Sequence, residues 1–158
     1  MKIGVVEIPN RFVLAPLAGV SCTSFRMLCK ENGAGLIYTQ MIDAEFINKK
    51  NPAEVKRFLN IQDCERPVSV QLIGSKRDVL VTAVQSVEQF ADIIDLNVGC
   101  IEDDYLQKGC GAALLKDLAK LEILLQAMVD ATEKPVTAKI RIGWDSQHIN
   151  SVTVAQLI

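Results

Sequence analysis

Three side chains that can carry charge or protons stand where an α/β chain displays reactive groups. Cys100 closes the run Ile93-Ile94-Asp95-Leu96-Asn97-Val98-Gly99-Cys100, and Lys139 and Arg141 alternate along Val136-Thr137-Ala138-Lys139-Ile140-Arg141. A side-chain period of two puts Asp95 with Asn97, and Lys139 with Arg141, on one face of their strands. Polar groups inside an apolar strand need partners, and a bound ligand can be one of them. Gln71 interrupts a third strand in the same way. Other polar residues carry no chemistry on this reading: Cys110 packs a loop, His148 lies in a solvated turn, and Glu102-Asp103-Asp104 is a solvated loop face. No histidine or further carboxylate is placed to make that run a metal site. By itself Cys100 reads more readily as a small apolar residue at a strand end, since free cysteine is commonly buried.

The elements that hold these residues alternate. Core strands start near residues 12, 36, 67, 93 and 135, and each is followed by helix, as in a parallel sheet. Met1–Arg11 reads as a β-hairpin turning at Pro9-Asn10, a plug ahead of the first core strand. Ser21 or Thr23 can cap the first helix, which stops at Asn32-Gly33. The second strand reads as Leu36–Met41, the third as Pro67–Gly74, and the fourth helix as Ala112 to about Glu133. No glycine-rich dinucleotide fingerprint follows the first strand, which favours a barrel with its chemistry at the C-terminal strand ends. A whole (β/α) barrel takes eight strands and about 250 residues. The expectation for residues 1–158 is therefore an incomplete TIM barrel of about five βα units with an N-terminal hairpin. Its open edges invite self-association, and its interior should expose apolar residues such as Val70, Leu96 and Ile140.

Composition narrows the class. Apolar residues make up 49% of the 158, enough for one sizeable core. No apolar run reaches the roughly 18 residues of a membrane span, and the start has no basic, then apolar, signal pattern. Five cysteines without a CxxC pair argue against disulfides and zinc knuckles, so the expected compartment is the reducing cytoplasm. A net charge of −2 gives no global attraction to nucleic acid, so an RNA partner needs local basic patches.

Five ordered segments then meet a known pattern. Ala15-Pro16-Leu17-Ala18-Gly19-Val20 with Ser24-Phe25-Arg26, Pro67–Leu72, Ile94–Cys100, Gly109–Leu115 and Pro135–Trp144 together resemble the N-terminal half of the flavin barrel of the tRNA-dihydrouridine synthases. The resemblance implies an oxidoreductase that reduces the C5–C6 bond of tRNA uridines, with FMN as cofactor and NADPH as electron donor. It implies that Pro16, Leu17 and Ala18 lie against the flavin ring, that Gln71 and Lys139 hydrogen-bond it, that Cys100 donates a proton to the uracil, and that Asn97 and Arg141 line the base pocket. The chemistry agrees. A lysine at the pyrimidine edge stabilises the negative charge of a reduced flavin. Charge developing at uracil C5 needs a positioned acid, a role that requires the thiol form of Cys100.

Two positions depart from the family pattern. Ile101 stands where proline usually follows the cysteine, freeing the backbone there, and Gln40 replaces a glutamate at the end of the second strand. Two rival readings stand beside it: another flavin barrel acting on free pyrimidines, similar to dihydroorotate or dihydropyrimidine dehydrogenase, which a basic surface and tRNA-dependent turnover would separate, and a non-catalytic half-barrel, which bound flavin would separate.

Overall fold

A computed structural model describes residues 1–158. Strands β1 (Lys2–Ile3) and β2 (Val6–Glu7) form an antiparallel hairpin. The chain continues through β3 (Val13–Leu14), α1 (Thr23–Glu31), β4 (Leu36–Tyr38), β5 (Ile42–Asp43), α2 (Ala44–Ile47), α3 (Pro52–Leu59), β6 (Val68–Ile73), α4 (Arg77–Val87), β7 (Ile93–Val98), α5 (Asp103–Gln107), α6 (Leu118–Asp130), β8 (Val136–Ile140) and α7 (Ser151–Leu157). The sheet is parallel throughout, in the order β3-β4-β6-β7-β8, with β5 as a short addition on β6. This curled half-barrel with its hairpin is the incomplete TIM barrel that the alternation predicts. No helix is long and apolar enough to cross a membrane.

The two faces of the sheet differ in a way that reverses one expectation. Val70, Leu72, Ile94, Leu96 and Val98 are buried with Leu80, Val84 and Val87 of α4 and Leu121, Leu124 and Met128 of α6; Ile140 packs against the same cluster. Val70, Leu96 and Ile140 therefore face the helices and are not exposed interior residues. The concave face carries the alternate positions instead, and it is polar: Ser69 and Gln71 on β6, Asp95 and Asn97 on β7, Thr137 and Lys139 on β8, brought level by the parallel register.

At the N-terminal ends of the strands that same face turns apolar. Leu36, Tyr38 and Ile93 pack with Ile8, and Ile3 and Val6 of the hairpin join them. The hairpin is thus a plug, but it turns at Gly4-Val5 and not at Pro9-Asn10. Gly4 has φ +54°, which a side chain disfavours, and that freedom makes the tight turn. Asn10 ties the exit strand instead, accepting from Phe12 N–H and donating to the Gly33 carbonyl, both at 2.9 Å.

Three further boundaries differ for local reasons. Between the pairs Tyr38–Ser69 and Ile42–Leu72 one strand advances four residues and the other three, so Leu36–Met41 is broken by a bulge. The Thr39 hydroxyl accepts the Gln71 N–H there, at 3.2 Å. The stretch expected as one helix from Ala112 opens with a 3-10 turn, Gly111–Lys116, and Asp117 then caps α6 through Lys120 N–H. Helix α1 has Cys22 at its cap, because Ser21 Oγ accepts from Leu17 N–H and Thr23 Oγ1 donates to the Asn60 carbonyl.

One ion pair joins the outer elements. Arg26 Nε donates to Glu65 Oε2 at 2.5 Å, with side-chain exposures of 4% and 0%, and the guanidinium also reaches the carbonyls of Ser21, Leu59 and Asn60. Removing one partner of a buried pair strands the other charge, which costs about 3–5 kcal/mol. Glu65→Ala is expected to lower the unfolding free energy by about that amount. Urea denaturation followed by circular dichroism measures it, and a loss below about 1 kcal/mol would mean that solvent replaces the carboxylate.

Candidate active site

The deepest feature of the concave face is a chain of hydrogen bonds across three strands. The Asp95 carboxylate accepts from Thr137 Oγ1 at 2.6 Å and from Gln71 Nε2 at 2.7 Å. Gln71 Oε1 then accepts from Asn97 Nδ2 at 2.9 Å. Asn97 Oδ1 in turn accepts the backbone N–H groups of Gly99 at 3.0 Å and Cys100 at 2.8 Å. Each amide can point only one way, because the backbone N–H groups of Gly99 and Cys100 can only donate and so take the Asn97 oxygen. The loop at the rim and the floor of the face are thereby tied through one directed chain.

Cys100 is held from both sides by its main chain. Its N–H is bound to Asn97, and its carbonyl accepts Ala112 N–H at 2.8 Å. Gly111 makes the second contact possible: φ is +60°, and a Cβ there would lie 2.6 Å from the Cys100 carbonyl oxygen. The half-buried Cys100 thiol has no hydrogen-bond partner. Ile101, exposed beside it, leaves the backbone without proline's restraint, and the Asn97 and Ala112 bonds supply the restraint instead.

Of the other predicted residues, Lys139, Arg141 and Pro16–Ala18 gather on the same rim, while Gln71 and Asn97 lie buried in the floor below it. Lys139 is exposed beside Asn97 in the register, and its ammonium touches only the carbonyl of Ile140, at 3.3 Å. Arg141 is exposed too, with Nη1 3.4 Å from the Gly99 carbonyl. Pro16, Leu17 and Ala18 follow the end of β3 and present apolar surface, Leu17 being 41% exposed. Gln71 is fully buried; its amide keeps one N–H and one lone pair beyond its bonds to Asp95 and Asn97. Asn97 is more committed, since Nδ2 also approaches Met41 Sδ at 3.6 Å and all four of its bonding positions are used. Gln40 Oε1 accepts Gly19 N–H at 3.1 Å, a task that asks for an acceptor and not for a charge.

Sequence reasoning passed over Thr137, Thr39 and Gly111. Thr137 alternates with Lys139, and that period was the available signal; the other two depend on a bulge and a loop approach that no local pattern encodes. Burial pushes the Asp95 carboxyl above its ordinary value, against the hydrogen bonds from Thr137 and Gln71 and the charge of Lys139. Burial likewise raises Tyr38, with the Asp95 charge adding to it, and raises the Cys110 thiol, a buried packing residue as expected. His148 is exposed in a turn beside Asp145.

Comparison with known proteins adds an independent line. Residues 13–158 match the family model of the dihydrouridine synthases. The chain is 42% identical to tRNA-dihydrouridine synthase B of Pseudomonas aeruginosa, over 99% of the chain and 47% of that protein. It is 38% identical to the protein of the same name from Vibrio vulnificus, over 99% of the chain and 49% of that protein. The chain thus spans about half the length of the curated relatives it matches.

The raised Asp95 carboxyl makes stability depend on pH. A carboxyl whose folded-state pKa is raised gives its full support below the ordinary 3.8 and loses it as pH climbs through the raised value. Asp95→Asn removes that titration. The variant is expected to gain on the parent as pH rises above 3.8, until the raised folded-state value is passed. Unfolding free energies of both proteins measured across that range check it, and a constant difference would mean that Asp95 is not buried as a titrating group.

Proposed function

This chain belongs to the dihydrouridine synthase family, and from that premise we propose that the protein reduces the C5–C6 double bond of a uridine in tRNA, using FMN with NADPH as the reductant. The observation that carries the reading is the seat of Cys100: main chain clamped on both sides, thiol unbonded. The rim suits a flavin ring. Pro16, Leu17 and Ala18 offer it an apolar wall and Lys139 brings an ammonium not paired with any carboxylate; Gln71, the further ring contact that the resemblance implies, lies fully buried in the floor beneath, with one donor and one acceptor unused. When bound, FMN supplies a hydride for C6 of the uracil.

The residues of the chain do the rest. As the hydride arrives at C6, the electron pair of the double bond moves to C5, and Cys100 delivers its thiol proton there. The product has gained two hydrogens, and the thiolate left at Cys100 recovers its proton from solvent. Lys139 would hold the flavin ring and supply a positive charge that stabilises its reduced form. Arg141 lies on the base side, next to the Gly99 carbonyl. Asn97 acts chiefly through Cys100, whose backbone it fixes. The cytoplasm, where tRNA is found, is the place of this reaction. Residues 1–158 alone bind FMN weakly and turn over no tRNA, because barrels of this class hold the cofactor phosphate with loops after their last two strands.

Cys100→Ala in the chain fused to the remaining barrel strands of a relative tests the assignment. Flavin absorbance should be unchanged, and dihydrouridine formation should fall by about 10²–10⁴-fold, the usual contribution of a general acid. Turnover within about twofold of the parent would remove Cys100 from the mechanism. For the chain alone, FMN titration with light scattering is expected to show weak binding and self-association through the free edges of β3 and β8. A monodisperse monomer that binds FMN at about micromolar concentration would make the half-barrel self-sufficient.

A further inference from the structure

A cleft of about 310 Å³ opens beside the rim at β3 and β4 and takes no part in the chemistry above; Gly19, Gln40, Arg57, Phe58 and Asn60 are among its walls. It lies close to the reacting centre. Asn97 Nδ2 is 3.6 Å from Met41 Sδ, Met41 adjoins Gln40, and Gln40 holds Gly19 at the cleft wall. No carboxylate lines it. Of its two arginines, Arg26 is neutralised by Glu65, so the charge presented to a ligand is that of Arg57, which is exposed and forms no ion pair.

The surface outside the cleft has the same character. From Lys49 to Arg57 four cations stand against a single carboxylate, in a chain whose net charge is −2, and Glu45 of α2 is paired with Lys76 at 2.7 Å. That carboxylate, Glu54, is turned back onto Asn51 N–H in the cap of α3. Phe58 packs on Phe46 with ring centroids 5.2 Å apart, each remains 40% exposed, and Lys50 Nζ stands 5.0 Å over the Phe46 ring. Half-exposed aromatic faces among unpaired cations are the means by which proteins hold unstacked nucleic acid, the rings meeting bases and the cations meeting phosphates. A protein partner would call for a broader apolar core than two rings provide.

We propose that this cleft and the adjoining α2–α3 face hold the RNA strand flanking the target uridine, with Arg57 on a phosphate and Phe58 against a base. The inference rests on the tRNA reading given above. It uses a local excess of positive charge to solve a problem that the overall charge does not. The reacting base then sits at Cys100 while its neighbour is anchored one loop away, past Met41 and Gln40.

The test measures tRNA binding and turnover in the same fused protein, carrying Arg57→Ala or Phe58→Ala. Arg57→Ala should raise KM for a tRNA transcript about tenfold with kcat within about twofold, and should reduce the slope of log affinity against log salt by about 0.7–0.9, one phosphate contact. Phe58→Ala should weaken binding about fivefold or more with the slope unchanged. Reduction of the flavin by NADPH should not move in either variant. If both variants keep parental KM, affinity and salt slope while dihydrouridine is formed, the cleft does not hold RNA and the functional reading stands. If no dihydrouridine forms yet both variants still weaken tRNA binding as described, the cleft is an RNA site and the functional reading falls. Absence of tRNA binding by the parent protein overturns both.

Discussion

Two backbone N–H groups that can only donate stand at the rim of the concave face, and most of the site's order follows from them. Gly99 and Cys100 turn the oxygen of Asn97 toward themselves, so Asn97 presents its amide N–H to Gln71 Oε1, and Gln71 presents its own to Asp95, which also accepts from Thr137. Direction is passed along three strands without a charge moving. The energetic condition is burial. In a site this dry an unpaired amide or carboxylate costs more than its hydrogen bond gains, so a reversed amide anywhere in the chain would leave two like groups facing each other.

The sheet separates stability from chemistry by its two faces. Apolar positions of β6 and β7 are spent on α4 and α6, which leaves the alternate positions free to be polar. The hairpin closes the base of that polar face with Ile3, Val6 and Ile8, so its polar layer rests on an apolar one. Arg26 and Glu65 bind α1 to the turn before β6 and keep the wall of the neighbouring cleft in place. Each device acts on a different layer, and none of them uses a residue that the reaction needs.

Much of this was legible in the sequence, and the illegible parts share a cause. The strands β6, β7 and β8 follow from apolar runs with turn residues at their ends, and the pairing of Asp95 with Asn97 on one face follows from period two. The same period, applied with the assumption of an apolar barrel interior, turned Val70, Leu96 and Ile140 the wrong way; the polar neighbours Ser69, Gln71 and Thr137 were the evidence against it. Contacts between residues far apart in the chain left no local trace. Arg26 and Glu65 are 39 residues apart, and the bulge that splits the second strand depends on the partner strand's advance. The cap of α1 was misplaced because the hydroxyls of Ser21 and Thr23 were already committed elsewhere.

Cys100 is placed entirely through its peptide groups, to Asn97 on one side and Ala112 on the other. Its side chain adds no hydrogen bond to the hold. The architecture therefore specifies an address and leaves the occupant open, and selection can change the reagent at position 100 without renegotiating the fold. Gly111 is bound by the opposite rule, since its lack of a side chain is what lets the two loops meet. A different side chain at position 100 would keep the same two main-chain bonds, whereas any side chain at position 111 would part the two loops, whatever reaction the scaffold serves.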